Sequence, residues 1–151
     1  MRGITHLAGG ICAAAIVGSV SNVPYPTLAA GVAVASVAAL VPDWINVAVP
    51  GINIRGAMGH RGFTHWLLTA AITSLSVLVF SPSLAVFWLA GYTSHLLLDV
   101  LTERGAPVLW PVPGQVSLLP VHEGGMFDKW LGAALIVIAV VVMVSEIGPV
   151  V

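Results

Sequence analysis

Charge is scarce in this chain. Of its 151 residues only 7% are Asp, Glu, Lys or Arg, against about a quarter in an ordinary soluble domain. So little charge cannot cover a folded surface in water. With 58% hydrophobic residues and a mean hydropathy of +1.03, the chain is expected in a lipid bilayer. Five basic residues against six acidic ones leave a formal net charge of -1, which argues against a nucleic-acid partner, since such a partner asks for an excess of basic residues. Cys12 is the single cysteine, which excludes a disulfide framework and a thiolate metal cluster. It lies in an Ala/Gly/Ile run and reads as a small core residue. Neither an internal repeat nor a low-complexity tail divides the sequence, so residues 1–151 read as a single integral membrane domain.

What is abundant is long apolar runs punctuated by proline and glycine. A first helix is predicted from about residue 5 to 20, with Thr5 as its cap and with Gly9, Gly10, Ala13, Ala14 and Ala15 as small residues that let membrane helices approach closely. Arg2 before an apolar stretch has the outline of a signal peptide, but one basic residue is a thin n-region and His6 interrupts the run, so it is read as a retained span. A second helix is predicted from about 27 to 41, ended by Pro42-Asp43. After a loop to Gly62, a third runs from about 63 to 80 and stops at Ser81-Pro82-Ser83. A fourth spans about 84 to 101. Residues 102–125 contain Pro107, Pro111, Pro113 and Pro120 and cannot be one continuous helix. A fifth helix runs from about 126 to 145. The expected fold is all-α: a polytopic membrane helical bundle of about five transmembrane helices, with two long loops on one face.

That topology has a chemical consequence. In a five-span chain, odd-numbered helices start, and even-numbered helices end, on the same membrane face. His6 starts the first, Asp43 ends the second, His60 and His65 stand at the start of the third, His95 and Asp99 occupy the last turns of the fourth, and Asp128 starts the fifth. Every candidate ligand is thus expected at one face, and apolar runs and prolines alone fix the segments that send them there. The same face receives Arg2, Arg55, Arg61, Arg104 and Lys129, which are all the basic residues of the chain. By the positive-inside rule that face is cytoplasmic, with the protein in the inner (plasma) membrane, multi-pass, and its N-terminus in the cytoplasm.

His95 and Asp99 are four residues apart, one helical turn, a spacing that suits two ligands on one ion. His60 and His65 straddle a loop-to-helix junction that could aim both at one point. With His6 and Asp43 the set reaches four imidazoles and two carboxylates, more than one tetrahedral ion requires. Either two ions are held, or some members orient the ligands or act as a base; Asp43 is expected as ligand or base, and Arg61 either as a clamp on a phosphate or, like Lys129, as an ordinary headgroup contact. Nitrogen and oxygen donors without sulfur suit a divalent metal such as Zn, Mn or Fe, with Zn or Mn expected here, one or two ions. Ionisable groups within membrane segments are costly and mark function. Set beside this is a non-enzymatic reading, in which the same groups form a structural metal site or a polar network tying the helices together. Transport has less support, because the polar groups gather at one face and leave no continuous route. His122 and Glu123 have no spacing argument and read as solvated.

Thr5-His6 with Gly9, Pro42-Asp43, His60-Arg61-Gly62-Phe63-Thr64-His65, Gly91-Tyr92 with Ser94-His95 and Asp99, then Thr102, Gly105 and Trp110-Pro111 resemble the YdjM-like family of inner-membrane proteins, described as membrane-bound metal-dependent hydrolases. The resemblance covers nearly the whole chain in order. It implies a small helical membrane protein with a divalent-metal site; the place of that site at the membrane surface, in contact with the lipid bilayer, adds the expectation of a lipid-linked or phosphorylated substrate. Two departures stand out. Where that family often has a second acid two residues after Pro42-Asp43, this chain has Ile45, and where a serine commonly follows the central block it has Trp66. Asp128 stands roughly where the family tends to have a glutamate, and the resemblance implies that it joins the catalytic groups in compensation.

Overall fold

The computed structural model describes residues 1–45, 62–109, 112 and 114–146. Among them α1 (Gly3–Ser21), α2 (Tyr25–Ala38), the short α3 (Val41–Ile45), α4 (Leu67–Leu78), α5 (Pro82–Val100) and α6 (Met126–Glu146) form an all-helical bundle. Gly3–Ser21, Tyr25–Ile45, Pro82–Val100 and Met126–Glu146, of 19 to 21 residues, are long and apolar enough to cross a membrane. At about 1.5 Å per residue each reaches close to the roughly 30 Å of a hydrocarbon core. α4 has 12 residues, or about 18 Å, and is the short member of the set.

The boundaries differ from the sequence expectation in three places, each with a local cause. Pro42 does not end the second span. After Ala38 the chain turns at Ala39-Leu40 and re-enters a helix in which Pro42 occupies the first turn and Asp43 follows it; proline has no amide hydrogen to lose there and its φ is already helical. The third segment does not begin as an α-helix. Phe63–His65 form one 3-10 turn, Trp66 is extended (φ -92, ψ 141), and α4 starts only at Leu67. The Leu67 amide is taken by the Val108 carbonyl at 3.0 Å, which anchors this break to the second loop. Thr5 does not cap α1. Arg2 is the N-cap residue and makes no side-chain cap bond, while Thr5 lies inside the first turn.

α1 packs against α2, α5 and α6, and α5 also packs against α2 and α4. Small residues set how closely they cross. A Cβ on Gly10 would come within 2.7 Å of the Ala35 carbonyl oxygen, and one on Gly91 would overlap that same carbonyl. α1, α2 and α5 therefore meet at Ala35, where only glycine lets two backbones close on a third. Below this crossing, Phe87 fills the space over Gly31 together with Ala14 and Ala35. α6 packs its Ala139 against Cys12 and Ala15 of α1, while Val137, Val140, Val141 and Val144 face outward, as suits a helix with lipid on most of its surface.

The loop after α5 has no helix of its own among the described residues. It is held by single bridges between Thr102 and Val121 and between Ala106 and Val116. Gly105 takes a positive φ of 62° with the Val116 carbonyl against it, a position no side chain could share.

Candidate metal centre

One helical turn beyond the Ala35 crossing, toward the loop face, is the only step needed to reach the site. Four residues before Gly10 is His6, four after Gly91 is His95, and four after Ala35 is Ala39. The crossing that demands glycine thus also delivers two imidazoles and a carbonyl to one level of the bundle.

His6, His65, His95 and Asp99 are 0%, 0%, 0% and 1% exposed. His65 Nε2 lies 3.1 Å from His95 Nε2, 3.3 Å from Asp99 Oδ2 and 3.6 Å from Asp43 Oδ1. His95 Nε2 lies 3.7 Å from Asp99 Oδ2 and 3.8 Å from Asp43 Oδ1. The His6 ring stacks on His95 with centroids 3.9 Å apart, and His65 meets His95 edge-on at 5.0 Å. Among the described residues two donor groups result: His6, Asp43 and His95, and His65, His95 and Asp99, with ligand atoms within 4.8 Å of one another in each and His95 common to both.

The surroundings fix how these rings present themselves. His95 Nδ1 is 2.8 Å from the Ala39 carbonyl oxygen, and a carbonyl can only accept, so Nδ1 carries the proton and Nε2 turns a lone pair into the cluster. Such a partner behind a ligand histidine is the usual means of setting its tautomer. His65 Nδ1 faces the Thr64 hydroxyl at 3.0 Å. The Tyr92 hydroxyl donates to the Thr64 carbonyl at 2.6 Å, pinning the 3-10 turn to α5. Among the described residues neither ring nitrogen of His6 makes a well-aligned hydrogen bond although both are buried; its Nε2 stands 3.4 Å from Asp99 Oδ1. A buried imidazole without a hydrogen bond is costly unless something else completes it, and with two carboxylates beside it a divalent cation fits that role.

Burial alone would hold His65 below the ordinary imidazole value of 6.5, but the Asp43 and Asp99 carboxylates beside its ring outweigh it and its pKa is raised. Asp99 is also 3.0 Å from the Met1 ammonium, which approaches Glu123 at 3.7 Å. Asp43 is the open member, its side chain 28% exposed where Asp99 is at 2%.

Of the residues expected from the sequence, His6, Asp43, His65, His95 and Asp99 are brought together. His60 and Arg61 lie outside the described residues, as does Arg55. Asp128 is in neither donor group. It accepts from the Thr5 hydroxyl at 2.6 Å, the Gly124 amide at 2.8 Å and the Arg2 amide at 3.1 Å, and so ties the first turn of α6 to the first turn of α1. Cys12 packs against Ala15 and Ala139. His122 pairs with Glu103 at 3.0 Å on the surface. The Ala39 carbonyl has no side-chain signal in the sequence at all, while Thr64 and Tyr92 stand among the residues that carry the family resemblance but have no site role assigned there.

Residues 1–150 match the family described as YdjM inner membrane protein. The chain is 38% identical over 93 residues to inner membrane protein YdjM of Escherichia coli K12, a stretch covering 56% of this chain and 47% of that protein, so the match spans about half of that relative's length. It is 30% identical over 149 residues to the uncharacterized protein YvsG of Bacillus subtilis 168, covering 92% and 91% of the two chains. To inner membrane protein YbcI of E. coli K12 it is 34% identical over 136 residues, covering 84% and 72%. No solved structure matches it significantly. With apolar spans, central histidine block and near-complete match in agreement, the chain belongs to the YdjM family of inner membrane proteins.

Proposed function

We propose that this protein is a membrane-bound, metal-dependent hydrolase with its site at the cytoplasmic membrane face, acting on a lipid-linked or phosphorylated substrate. The observation that carries the reading is the convergence of three buried imidazoles and two carboxylates in a bundle otherwise almost without charge, one imidazole making no well-aligned hydrogen bond among the described residues. His6, His65, His95 and Asp99 would hold a divalent cation, Zn or Mn, with His60 as a further ligand from the sequence pattern. The sharing of His95 between two donor groups allows one ion or two.

Such a cation would supply Lewis-acid chemistry, lowering the pKa of a water toward neutrality. Asp43, on the open side, accepts the proton of the attacking water. Arg61 holds the anionic group of the substrate. Asp128 acts indirectly, by fixing Thr5 and with it the turn that carries His6. A site at the membrane surface suits an amphiphile, whose tail stays in lipid while its head reaches the ion. The basic residues gathered at this end of the helices support a cytoplasmic orientation.

A second reading has an observation of its own. His65 between Asp43 and Asp99 closes an ion-pair network across α3, the 3-10 turn and α5, which could serve purely to tie the bundle. Metal analysis of the detergent-purified protein separates the two. About one or more ions per chain, lost in His95→Ala and His6→Ala variants that keep their helical circular dichroism, supports the metal centre; a metal-free wild type favours the tie. Release of phosphate or headgroup from a phospholipid panel, abolished by a chelator, then tests hydrolysis.

A further inference from the structure

On the far side of α1 from the histidines, a groove of about 430 Å³ runs between α1 and α6. Its walls are apolar, with Leu7 and Ile11 on one side and Ala133 and Ile136 on the other, and its mouth is basic, with Arg2 and Lys129. The apolar part follows α1 from Ile4 to Ile11, about 10 Å along the helix axis. Thr5 lies in the groove while His6, the next residue and about 100° around the helix, points to the histidine cluster.

We infer that this groove holds one anionic phospholipid, its phosphate between Arg2 and Lys129 and one acyl chain along α1 and α6. The occupant follows from where the groove lies and what rims it. Both helices are long enough to span the membrane, so the medium along the apolar walls is lipid, and the mouth is at the end of the bundle where the loops emerge. Among the described residues neither Arg2 nor Lys129 has an ion-pair partner. The Arg2 side chain is laid across Gly124, where a Cβ would come within 2.7 Å of Nε, so the backbone leaves room for the guanidinium at this spot. Asp128, the one carboxylate in the lining, is buried and already accepts three hydrogen bonds from Thr5, Gly124 and Arg2. The two cations thus face outward with their charge available, a pattern that favours an anionic headgroup over a zwitterionic one. Gly132 keeps the floor open: its missing Cβ would sit 3.4 Å from the Thr5 hydroxyl.

The inference does not depend on the hydrolase reading, and its test reads binding. The full chain is placed in nanodiscs of equal phosphatidylglycerol and phosphatidylcholine, and the lipid retained after release is counted by native mass spectrometry. One phosphatidylglycerol per chain is expected to persist in preference to phosphatidylcholine. Arg2→Gln with Lys129→Gln lowers that preference by about fivefold for each charge removed. Gly132→Leu, which fills the groove, removes retention of both lipids; Ala133→Leu at an exposed lining position serves the same purpose where the former does not fold. All variants keep the metal content of the wild type. Equal retention of the two lipids by the wild type, or an unchanged preference in the double variant, overturns the inference.

Discussion

The imidazole of His95 is fixed by the carbonyl of Ala39, 2.8 Å from its Nδ1. Ala39 caps α2 within the second span and His95 lies near the end of α5, so one hydrogen bond couples the break between α2 and α3 to the tautomer of the ring shared by both donor groups. Several measurements follow from this arrangement.

The partner that holds the other side of the cluster is Tyr92. Its hydroxyl donates to the Thr64 carbonyl, and Tyr92→Phe leaves that buried carbonyl short of a donor. The expected cost is about 1–3 kcal/mol of stability, with metal affinity lowered by about 10- to 100-fold because the 3-10 turn that aims His65 is loosened. Thermal unfolding in detergent and a metal titration check both parts. An unchanged metal affinity would show that the turn is held without this bond.

The crossing at Ala35 makes a second prediction. At Gly91 an added methyl would collide with backbone, which cannot swing aside. Gly91→Ala should therefore destabilise the bundle by about 1–3 kcal/mol and disturb the site one turn away. Gly3→Ala, where a Cβ meets nothing within 4 Å, is the matched control and should change neither melting temperature nor metal content.

The raised pKa of His65 sets the direction of a pH effect. Because the folded value lies above the ordinary 6.5, the protonated ring stabilises the metal-free protein fully below about pH 6.5, and this contribution is lost as pH rises through the folded pKa. A cation must displace that proton, so metal affinity should climb with pH through a window extending above 6.5. An NMR titration of His65 in the metal-free protein should give a midpoint above 6.5, lowered in Asp43→Asn. A midpoint at or below 6.5 in the wild type would remove the two carboxylates as the cause.

Asp43 and Asp128 should separate in their effects. Asp128→Asn weakens the tie to Thr5, Arg2 and Gly124 and is expected to cost about 1–3 kcal/mol while leaving the metal stoichiometry intact. Asp43→Asn should leave the fold in place and abolish metal-dependent hydrolysis. Loss of metal in Asp128→Asn at full stability would return Asp128 to the centre itself.

Much of this is legible in the amino-acid sequence itself. The scarcity of charge and the length of the apolar runs dictated a membrane bundle, because no other medium tolerates such a surface. Alternation of helix direction was enough to send His6, Asp43, His65, His95 and Asp99 to one end, since that rule needs only the number of spans. Which of those groups touch was not legible, because contact depends on how closely helices approach and at what rotation. The tertiary structure decided it through Gly10 and Gly91 closing on Ala35, through Pro42 starting a helical turn rather than ending one, and through Trp66 breaking the third segment so that His65 faces inward. It also turned Asp128 toward Thr5 instead of the cluster. The Ala39 carbonyl shows the limit most clearly: a backbone oxygen carries no sequence signal, and only packing could place it behind His95.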